Sequence, residues 1–315
     1  MHTILITGGT GLVGKTLSKY LLSKGFKVIV LSRTIPKTAA DSNIQYATWD
    51  VKKQTIDVEA LQLADFIIHL AGAGVVDKKW TDAYKKEIEE SRTQSSKLIV
   101  DTLKAHSHSV KAIISSSAIG WYGEDKQPGF AFTESDPADD GFLGRTCQLW
   151  EDSIEPATAL GIRVCKLRTG IVLSNDGGAL AEFKKPIQMG VAGILGNGKQ
   201  IVSWIHIDDL CRMFLHAIEN ASMHGSYNAV APTPVSNKEL TLKLAQLIKG
   251  SFYISLHVPV FILKLMLGTR SEEVLKSTTV SCTKIRNEGF TFLYPGIDAA
   301  LAELSKKSTG ATDQI

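Results

Sequence analysis

The sequence predicts an α/β protein built on a doubly wound parallel sheet, and two observations lead to this fold class. Short apolar runs rich in β-branched residues alternate with longer segments of helical period through the first half of the chain. The apolar runs contain few polar residues, so both faces of each strand are expected to be buried between helices. A smaller C-terminal α/β region is expected to follow, because the pattern loosens after Gly161.

The elements are expected in a regular order from the N-terminus. The first strand is predicted over Thr3 to Thr7, and a helix over Leu12 to Ser23 follows it. Further strands are predicted at 28–31, 44–49, 66–70, 112–115 and 162–167, with long helices at about 81–105 and 139–159. Strands separated by helical crossovers form parallel neighbours, so each of these units is expected to add one strand to the same sheet.

Composition excludes several classes of protein. The 315 residues include 35 Lys+Arg and 32 Asp+Glu, and the basic residues are scattered, which argues against a nucleic-acid partner. Four widely spaced cysteines fit neither a metal site nor a disulfide framework, so four free thiols in a reducing compartment are expected. No signal-peptide pattern and no run of about 20 apolar residues is present. The chain is therefore expected to be soluble and cytoplasmic, without a membrane or metal partner.

A glycine-rich loop follows the first predicted strand and opens the first predicted helix. Gly8, Gly11 and Gly14 have the spacing of a dinucleotide-binding loop, in which glycines permit a tight turn, a close pyrophosphate and close helix packing. Amide groups at the start of the helix would then face the anion. The residues expected to contact the cofactor here are Thr7, Gly8, Thr10, Gly11, Leu12, Val13 and Gly14.

The end of the second strand distinguishes the two nicotinamide dinucleotides. An acidic residue at this place binds the free ribose 2′-OH of NAD. This chain has Ser32 and Arg33 instead, a hydrogen-bond donor and a cation that can pair with the 2′-phosphate of NADP(H). NADP(H) is therefore the predicted cofactor, although a solvated surface arginine is the alternative for Arg33.

Small residues follow the fourth strand and allow close approach of the cofactor. Leu70, Ala71 and Gly72 are predicted to line its adenosine side. His69 lies within the apolar run and is expected to be a buried, hydrogen-bonded histidine. At the fifth and sixth strands, Ser115 is expected beside the cofactor and Ile171 on the cofactor edge.

These segments resemble the short-chain dehydrogenase/reductase superfamily, and within it an atypical branch of nucleoside-diphosphate-sugar epimerase-like "epimerase family" proteins. The resemblance covers nearly the whole chain. The segments that carry it include Thr7 to Gly14, Leu70 to Gly72, Ser115 to Gly120, Arg168 to Leu173, Trp204 to Asp209, and Asn228-Ala229 with Ala231-Pro232. It implies a Rossmann domain with bound NADP(H), and it adds Glu87 and Arg92 as cofactor contacts. The chain departs from the branch at Thr269-Arg270, where an acidic residue is usual.

The catalytic dyad of that superfamily is missing. Catalytically active members share a serine after the fifth strand and a Tyr-x-x-x-Lys motif on the next helix. The tyrosine hydroxyl of that motif exchanges a proton with the substrate alcohol. Ser117 fills the serine place, whereas Leu143 and Cys147 stand in the tyrosine and lysine places. Tyr122 and Lys126 have the same spacing, but their glycine-rich surroundings predict a loop. Ser117 and Tyr122 are the catalytic candidates.

The second half is expected to supply the substrate site. Arg168 ends the sixth strand and could anchor a phosphate or carboxylate, or form a salt bridge at the sheet edge. Trp204 is the other residue that is expected to contact the substrate. The domains are predicted as an NADP-binding Rossmann domain over 1–165 and a substrate-binding region over 166–315, with a soft boundary across which segments interleave. The apolar segment 260–267 is expected in the core or in an interface.

Two functions are compatible with these residues. The first is an NADP(H)-dependent oxidoreductase or epimerase that acts on a small carbonyl, polyol or nucleotide-sugar-like molecule. The second is a catalytically degenerate NADP(H)-binding sensor or regulatory protein. The absent dyad favours the second, while the serine strand, the glycine loop and the specialised second half favour the first. A small-molecule substrate is the expected partner, and a homodimer is left open.

Overall fold

The computed structural model describes residues 1–35, 43–127 and 129–306. Its strands are β1 (Thr3–Thr7), β2 (Lys27–Ser32), β3 (Ile44–Asp50), β4 (Thr55–Ile56), β5 (Phe66–His69), β6 (Ala112–Ala118), β7 (Arg163–Thr169), β8 (Ile171–Ser174), β9 (Gly177–Gly178), β10 (Val191–Leu195), β11 (Ile201–Val202), β12 (Trp204–His206), β13 (Gly225–Ala229), β14 (Val235–Ser236) and β15 (Ile254–Val258). Its helices are α1 (Leu12–Ser23), α2 (Val58–Gln62), α3 (Asp82–Ala105), α4 (Phe142–Ile154), α5 (Ala179–Gln188), α6 (Ile207–Glu219), α7 (Asn237–Lys249), α8 (Val260–Leu267), α9 (Ser271–Leu275), α10 (Thr283–Asn287) and α11 (Ile297–Ser305).

An eight-stranded sheet forms the centre of the molecule, in the order β13-β7-β6-β5-β1-β2-β3-β4. Every pair from β13 to β3 is parallel, and only the short β4 is antiparallel to its neighbour. The strand order reverses on either side of β1, which is the switch point at which doubly wound sheets bind ligands. The predicted doubly wound α/β fold is confirmed.

Alternate residues of the parallel strands divide between two hydrophobic cores. Ile4 and Ile6 of β1 pack in a first core with α1 and α6, whereas Leu5 packs in a second core with α3. Successive side chains of a strand point to opposite faces, so a strand that is apolar at every position serves both cores. The unbroken apolar runs in the sequence reflect this double burial.

The predicted element bounds agree closely near the N-terminus and less well at α4. β1 and α1 begin and end where the sequence predicts. The helix expected over 139–159 is α-helical only over Phe142–Ile154 and continues as a 3-10 turn over Glu155–Leu160. Pro156 explains the change, because it has no amide hydrogen to donate to the preceding turn.

The second half of the chain forms a smaller α/β region around a third core. Side chains of α5, α7 and α11 meet there around the fully buried Trp204. Two segments of this half return to the central sheet, since β13 pairs with β7 and α6 packs in the first core. The domain boundary at residue 165 stays a prediction. None of the helices in the described ranges combines the length and apolar character needed to cross a bilayer.

Candidate functional site

The glycine loop after β1 has a shape that only small residues allow. Gly8 adopts φ +68°, and a Cβ added to it would lie 2.9 Å from the carbonyl carbon of Leu70. A Cβ on Gly14 would lie 2.4 Å from the Gly8 oxygen, so α1 starts pressed against the loop. Gly11 caps the helix, and its amide donates to the Gly8 carbonyl at 3.0 Å. The first amides of α1 therefore open towards an exposed edge, as a dinucleotide pyrophosphate requires.

The Thr7 hydroxyl joins this loop to the end of β5. It accepts hydrogen bonds from the amides of Leu70 and Ala71 at 3.1 and 3.2 Å, and it lies 2.7 Å from His69 Nδ1. Because the hydroxyl accepts twice, its own hydrogen points to Nδ1, which leaves the hydrogen of His69 on Nε2, 3.1 Å from the Ser96 hydroxyl. Burial, reinforced by the charge of Arg92, lowers the pKa of His69 to about 3. The predicted structural role of this neutral histidine is confirmed.

Arg92 and Glu87 support the segment after β5 from α3. The Arg92 guanidinium donates to the Ala73 carbonyl at 3.0 Å, and a Cβ on Gly72 would lie 3.0 Å from its Cζ. Glu87 is exposed and pairs with Lys78 on the same segment at 3.2 Å. Both predicted contacts therefore lie beneath or beside the loop that would border the cofactor, and Arg92 is the more enclosed of the two.

Ser32 and Arg33 lie at the end of β2, next to the glycine loop. The register pairs Thr7 of β1 with Leu31, so both follow the strand at the same edge. The Ser32 hydroxyl donates to the Thr34 carbonyl at 2.8 Å, while Arg33 is exposed. Among the described residues, none forms an ion pair with Arg33.

The remaining cofactor candidates lie along the carboxyl ends of the next strands. Ser115 of β6 is buried beside His69, and its hydroxyl donates to the Ser116 carbonyl. Ile171 begins β8 of the three-stranded sheet β12-β8-β9, two positions after β7 of the central sheet ends, and its large apolar side chain is 38% exposed. Thr10, Leu12 and Val13 line the loop and the first turn of α1. The structure thus gathers the predicted cofactor residues from β1, β2, β5, β6 and β8 at one edge.

The two places of the missing dyad face the 3-10 turn Ile119–Trp121, which directly follows β6. A Cβ on Gly120 would lie 3.3 Å from the Leu143 Cβ and 3.7 Å from the Cys147 sulfur. Burial raises the pKa of the Cys147 thiol to about 12 despite nearby Arg92. One place therefore holds a hydrocarbon and the other a neutral thiol, and neither transfers protons at neutral pH.

One turn further along the same face of α4, Glu151 forms a buried ion pair that the sequence analysis missed. Its Oε1 accepts from Arg168 Nε at 2.8 Å and from the Ser117 hydroxyl at 2.7 Å, and its Oε2 accepts from Arg168 Nη2 at 3.0 Å and from the Ser226 hydroxyl at 2.8 Å. Burial favours the neutral acid, but Arg168 and the two hydroxyls outweigh it and lower the pKa of Glu151. A carboxylate four residues after Cys147 on a buried face is the signal that could have revealed it.

Tyr122 belongs to the same network. Its hydroxyl donates to Asn228 Oδ1 at 2.7 Å and accepts from Arg168 Nη1 at 3.0 Å. Burial raises the pKa of Tyr122 to about 12, although Arg168 and Asn228 act in the opposite direction. Arg168 therefore links the other two residues, because it donates to Tyr122 and to Glu151, which also accepts from Ser117. The side chains of Ser117, Tyr122 and Arg168 are almost completely buried. Lys126, in the predicted loop, faces Asp136 at 4.0 Å.

Trp204 lies away from this network. Its side chain is fully buried in the third core, and its indole nitrogen donates to the Thr233 carbonyl at 3.0 Å. The described residues also line cavities elsewhere in the fold, and two of them are of similar size. One of about 480 Å³ adjoins the start of α1 and is lined by Leu12, Lys15, Thr16, Lys19, Asp176, Gly177 and Gly178. Another of about 420 Å³ is lined by Thr133, Glu134, Ser135, Ser226 and Lys284.

Comparison with known proteins gives consistent matches over almost the whole chain. An epimerase family protein of Staphylococcus aureus (strain NCTC 8325) is 34% identical over 310 residues, which cover 98% of this chain and 100% of the relative. The crystal structure of human epimerase family protein SDR39U1 (isoform 2) with NADPH has a TM-score of 0.82 at 25% identity, covering 96% of this chain and 99% of the human one. A nucleoside-diphosphate sugar epimerase from Corynebacterium glutamicum has a TM-score of 0.76 at 32% identity, and the match covers 96% of this chain and 58% of the Corynebacterium chain.

Family models divide the chain into two segments. A domain of unknown function (DUF1731) matches residues 258–304. The model of the NAD dependent epimerase/dehydratase family matches residues 4–230, which span the central sheet from β1 to β13 and the glycine loop. The chain belongs to the NAD dependent epimerase/dehydratase family.

Proposed function

We propose that this chain binds NADP(H) at the carboxyl edge of its central sheet. The tight packing of the glycine loop against α1 and the end of β5 is the observation that carries the proposal, because a Cβ at Gly8 or Gly14 would collide with backbone atoms and displace the loop from the first amides of α1. The backbone amides of Leu12 and Val13 would hold the pyrophosphate. The rest of the dinucleotide would be bordered by Ala71, Gly72 and Ile171. A bound nicotinamide dinucleotide supplies a hydride donor or acceptor.

The choice of NADP(H) over NAD(H) rests on the end of β2. Arg33 is exposed and has no acidic partner in the described ranges, so it can pair with a 2′-phosphate, and Ser32 can donate a hydrogen bond to it. A carboxylate in this place would repel that phosphate. The human relative was crystallised with NADPH, which agrees with this preference.

The proposed reaction is hydride transfer on a small carbonyl, polyol or nucleotide-sugar-like substrate. Ser117 is the substrate-facing hydroxyl in this proposal, and it would have to turn from Glu151 to reach a reacting oxygen. Tyr122 would serve as the proton carrier only after its bond to Asn228 opens, because its high pKa keeps the phenol protonated. Arg168 and Trp204 would contact substrate only if the packing around them also opened.

A second function, an NADP(H)-binding sensor or regulatory protein, is favoured by one specific observation. The two places of the proton-transfer dyad hold Leu143 and a neutral Cys147, and the nearby hydroxyls are committed to buried partners. In either case the ligand is a small molecule. Four buried free thiols agree with a reducing compartment, so we place the protein in the cytoplasm.

Cofactor titration tests the binding proposal. Calorimetry with NADPH and NADH should show tighter NADPH binding by the wild type, and Arg33→Ala should weaken NADPH about 10-fold or more, the loss of one charge-assisted hydrogen bond. NADH affinity should change less than about twofold. Lys27→Ala is the matched control, because Lys27 is an exposed cation at the opposite end of β2. Equal wild-type affinity for the two cofactors would overturn the NADP(H) assignment.

Turnover distinguishes the two functions. NADPH oxidation is followed with a panel of carbonyl compounds for the wild type, Ser117→Ala and Tyr122→Phe. Loss of turnover in either variant supports its place in the reaction, whereas unchanged turnover in both removes these two residues from it. Tight NADPH binding without turnover on any carbonyl of the panel supports the sensor.

A further inference from the structure

A large apolar surface lies on the second half of the molecule, far along the chain from the cofactor loop. It comprises seven side chains at the end of α5, in and before β15, and on α8, and we call it the outer patch. Its members are Met189, Phe252, Ile254, Leu256, Phe261, Leu265 and Met266. The register of β15 on β10 places Ile254 beside Val191, so Met189 and Phe252 adjoin at one end, while Val258 leads directly into α8 at the other.

The outer patch is too exposed for an isolated molecule in water. Phe252, Leu265 and Phe261 expose 86%, 83% and 71% of their surface. Helix α8 has eight residues, and Leu263 is the one buried side chain in it. Together the seven side chains leave on the order of 800 Å² uncovered, whereas the largest patch on a monomer is typically about 300–600 Å². This summed area is comparable with the roughly 800 Å² that each partner buries in a stable interface of standard size.

The backbone of β15 identifies the kind of partner. β15 is parallel to β10 along one edge and pairs with no other strand in the described chain, so its second edge can accept a further strand. A long apolar edge strand is normally protected by charges, prolines or a covering element. Between residues 252 and 266 the ionisable cations are His257 and Lys264, and no acidic residue occurs. Pro259 follows β15 directly and limits the edge to the five residues of the strand, in which His257 is the one ionisable side chain, so the strand itself carries little that opposes association.

We propose that the outer patch is the interface between two copies of this chain. A twofold axis across β15 would pair it antiparallel with β15 of a second copy and join the two short sheets into one of four strands. The side chains of Ile254 and Leu256 would continue into those of the second copy on one face of that sheet. Because the strands run in opposite directions, the end of β15 lies beside the start of the second copy's β15, so Phe261 and Leu265 of α8 would pack over that end. A self-complementary edge of this kind needs no other partner to cover it.

Sedimentation equilibrium tests the proposal on the full-length protein. The wild type should have about twice the chain mass of 34.2 kDa at micromolar concentration. Phe261→Glu with Leu265→Glu should give the single-chain mass, with an unchanged circular dichroism spectrum because both side chains are exposed. Leu63→Glu is the matched control, an exposed leucine on the opposite half, and it should remain dimeric. A monomeric wild type, or a dimer that the double variant leaves intact, overturns the proposal.

Disulfide formation tests the strand pairing itself. Leu256 is the central residue of β15, and residues facing each other across an antiparallel pair have Cα atoms about 4.5–5.5 Å apart, within disulfide range. All four native cysteines are buried, so an added thiol reports alone. Leu256→Cys should form an intermolecular disulfide under mild oxidation, and Leu63→Cys should not. Equal cross-linking of both variants contradicts the pairing, and binding of monomeric wild type to lipid vesicles would assign the patch to a membrane instead.

Discussion

The ion pair between Glu151 and Arg168 offers the sharpest test of how this molecule is held together. Both side chains are at least 95% buried, and each carboxylate oxygen accepts one hydrogen from the guanidinium. Glu151→Leu would leave a buried guanidinium without its counter-charge, and Arg168→Met would leave a buried carboxylate. Breaking a buried pair in this way typically costs about 3–5 kcal/mol.

The expected size in a melting experiment follows from chain length. Unfolding entropy of about 2.1 cal/mol/K per residue over 315 residues gives about 0.7 kcal/mol per kelvin. Each single variant should therefore lower Tm by roughly 4–7 °C in a calorimetric scan. The double variant, Glu151→Leu with Arg168→Met, leaves no unpaired charge. Its loss of stability should therefore be smaller than the sum of the two single losses, by a coupling free energy of about 2 kcal/mol or more.

An exposed pair serves as the control. Lys86 and Glu90 lie one turn apart on α3 at 3.6 Å, with both side chains more than half exposed. Glu90→Gln should lower stability by no more than about 0.5 kcal/mol, because water screens such pairs. If the losses of Glu151→Leu and Arg168→Met simply add in the double variant, the two side chains are not coupled and the reasoning from burial fails.

Three further predictions concern the cofactor edge and the thiols. The imidazole of His69 takes a proton near pH 6.5 in the unfolded chain, whereas burial lowers its pKa to about 3 in the folded protein. The free energy of unfolding should therefore fall as the solution is acidified below pH 6.5, by about 2 kcal/mol at pH 5. Urea titrations at pH 7 and pH 5 should show this loss, and the loss should be smaller in His69→Gln. Gly14→Ala should lower both Tm and NADPH affinity, since its methyl group would lie 2.4 Å from the Gly8 oxygen, whereas Gly296→Ala, which meets open space at the N-cap of α11, should leave NADPH affinity unchanged and lower Tm only slightly. The native protein should react slowly with a thiol reagent, which should label four cysteines after denaturation, because all four are buried and burial raises the pKa of Cys147 and Cys165 to about 12; rapid labelling of the native protein would contradict the packing.

Local patterns were sufficient for the fold around the cofactor edge. The bounds of β1 and α1 follow from an apolar run, a glycine loop and a helical period that all point to the same structure. The glycine spacing likewise predicts the close contact of Gly14 with Gly8. Structure that depends only on residues close together in the chain can therefore be predicted from the sequence.

The buried network near Ser117 could not be predicted in the same way. Tyr122 bonds to Asn228, 106 positions away, and nothing near either residue indicates the other. Arg168 was left with two alternatives, and the geometry shows it in a salt bridge with Glu151. The pairing of β13 with β7 also depends on the whole sheet, because its five residues have no pattern that distinguishes an edge strand of this sheet from one elsewhere.

The return of β13 to the central sheet has a consequence for biosynthesis. The chain leaves the ribosome from its N-terminus, so β7 is complete well before β13, which ends at Ala229, can pair with its open edge. Until then the growing chain presents an apolar strand edge of the kind that promotes aggregation. Early release of the nascent chain, by a premature stop codon after β7 and before β13, should therefore yield an insoluble product rather than a smaller working nucleotide-binding unit.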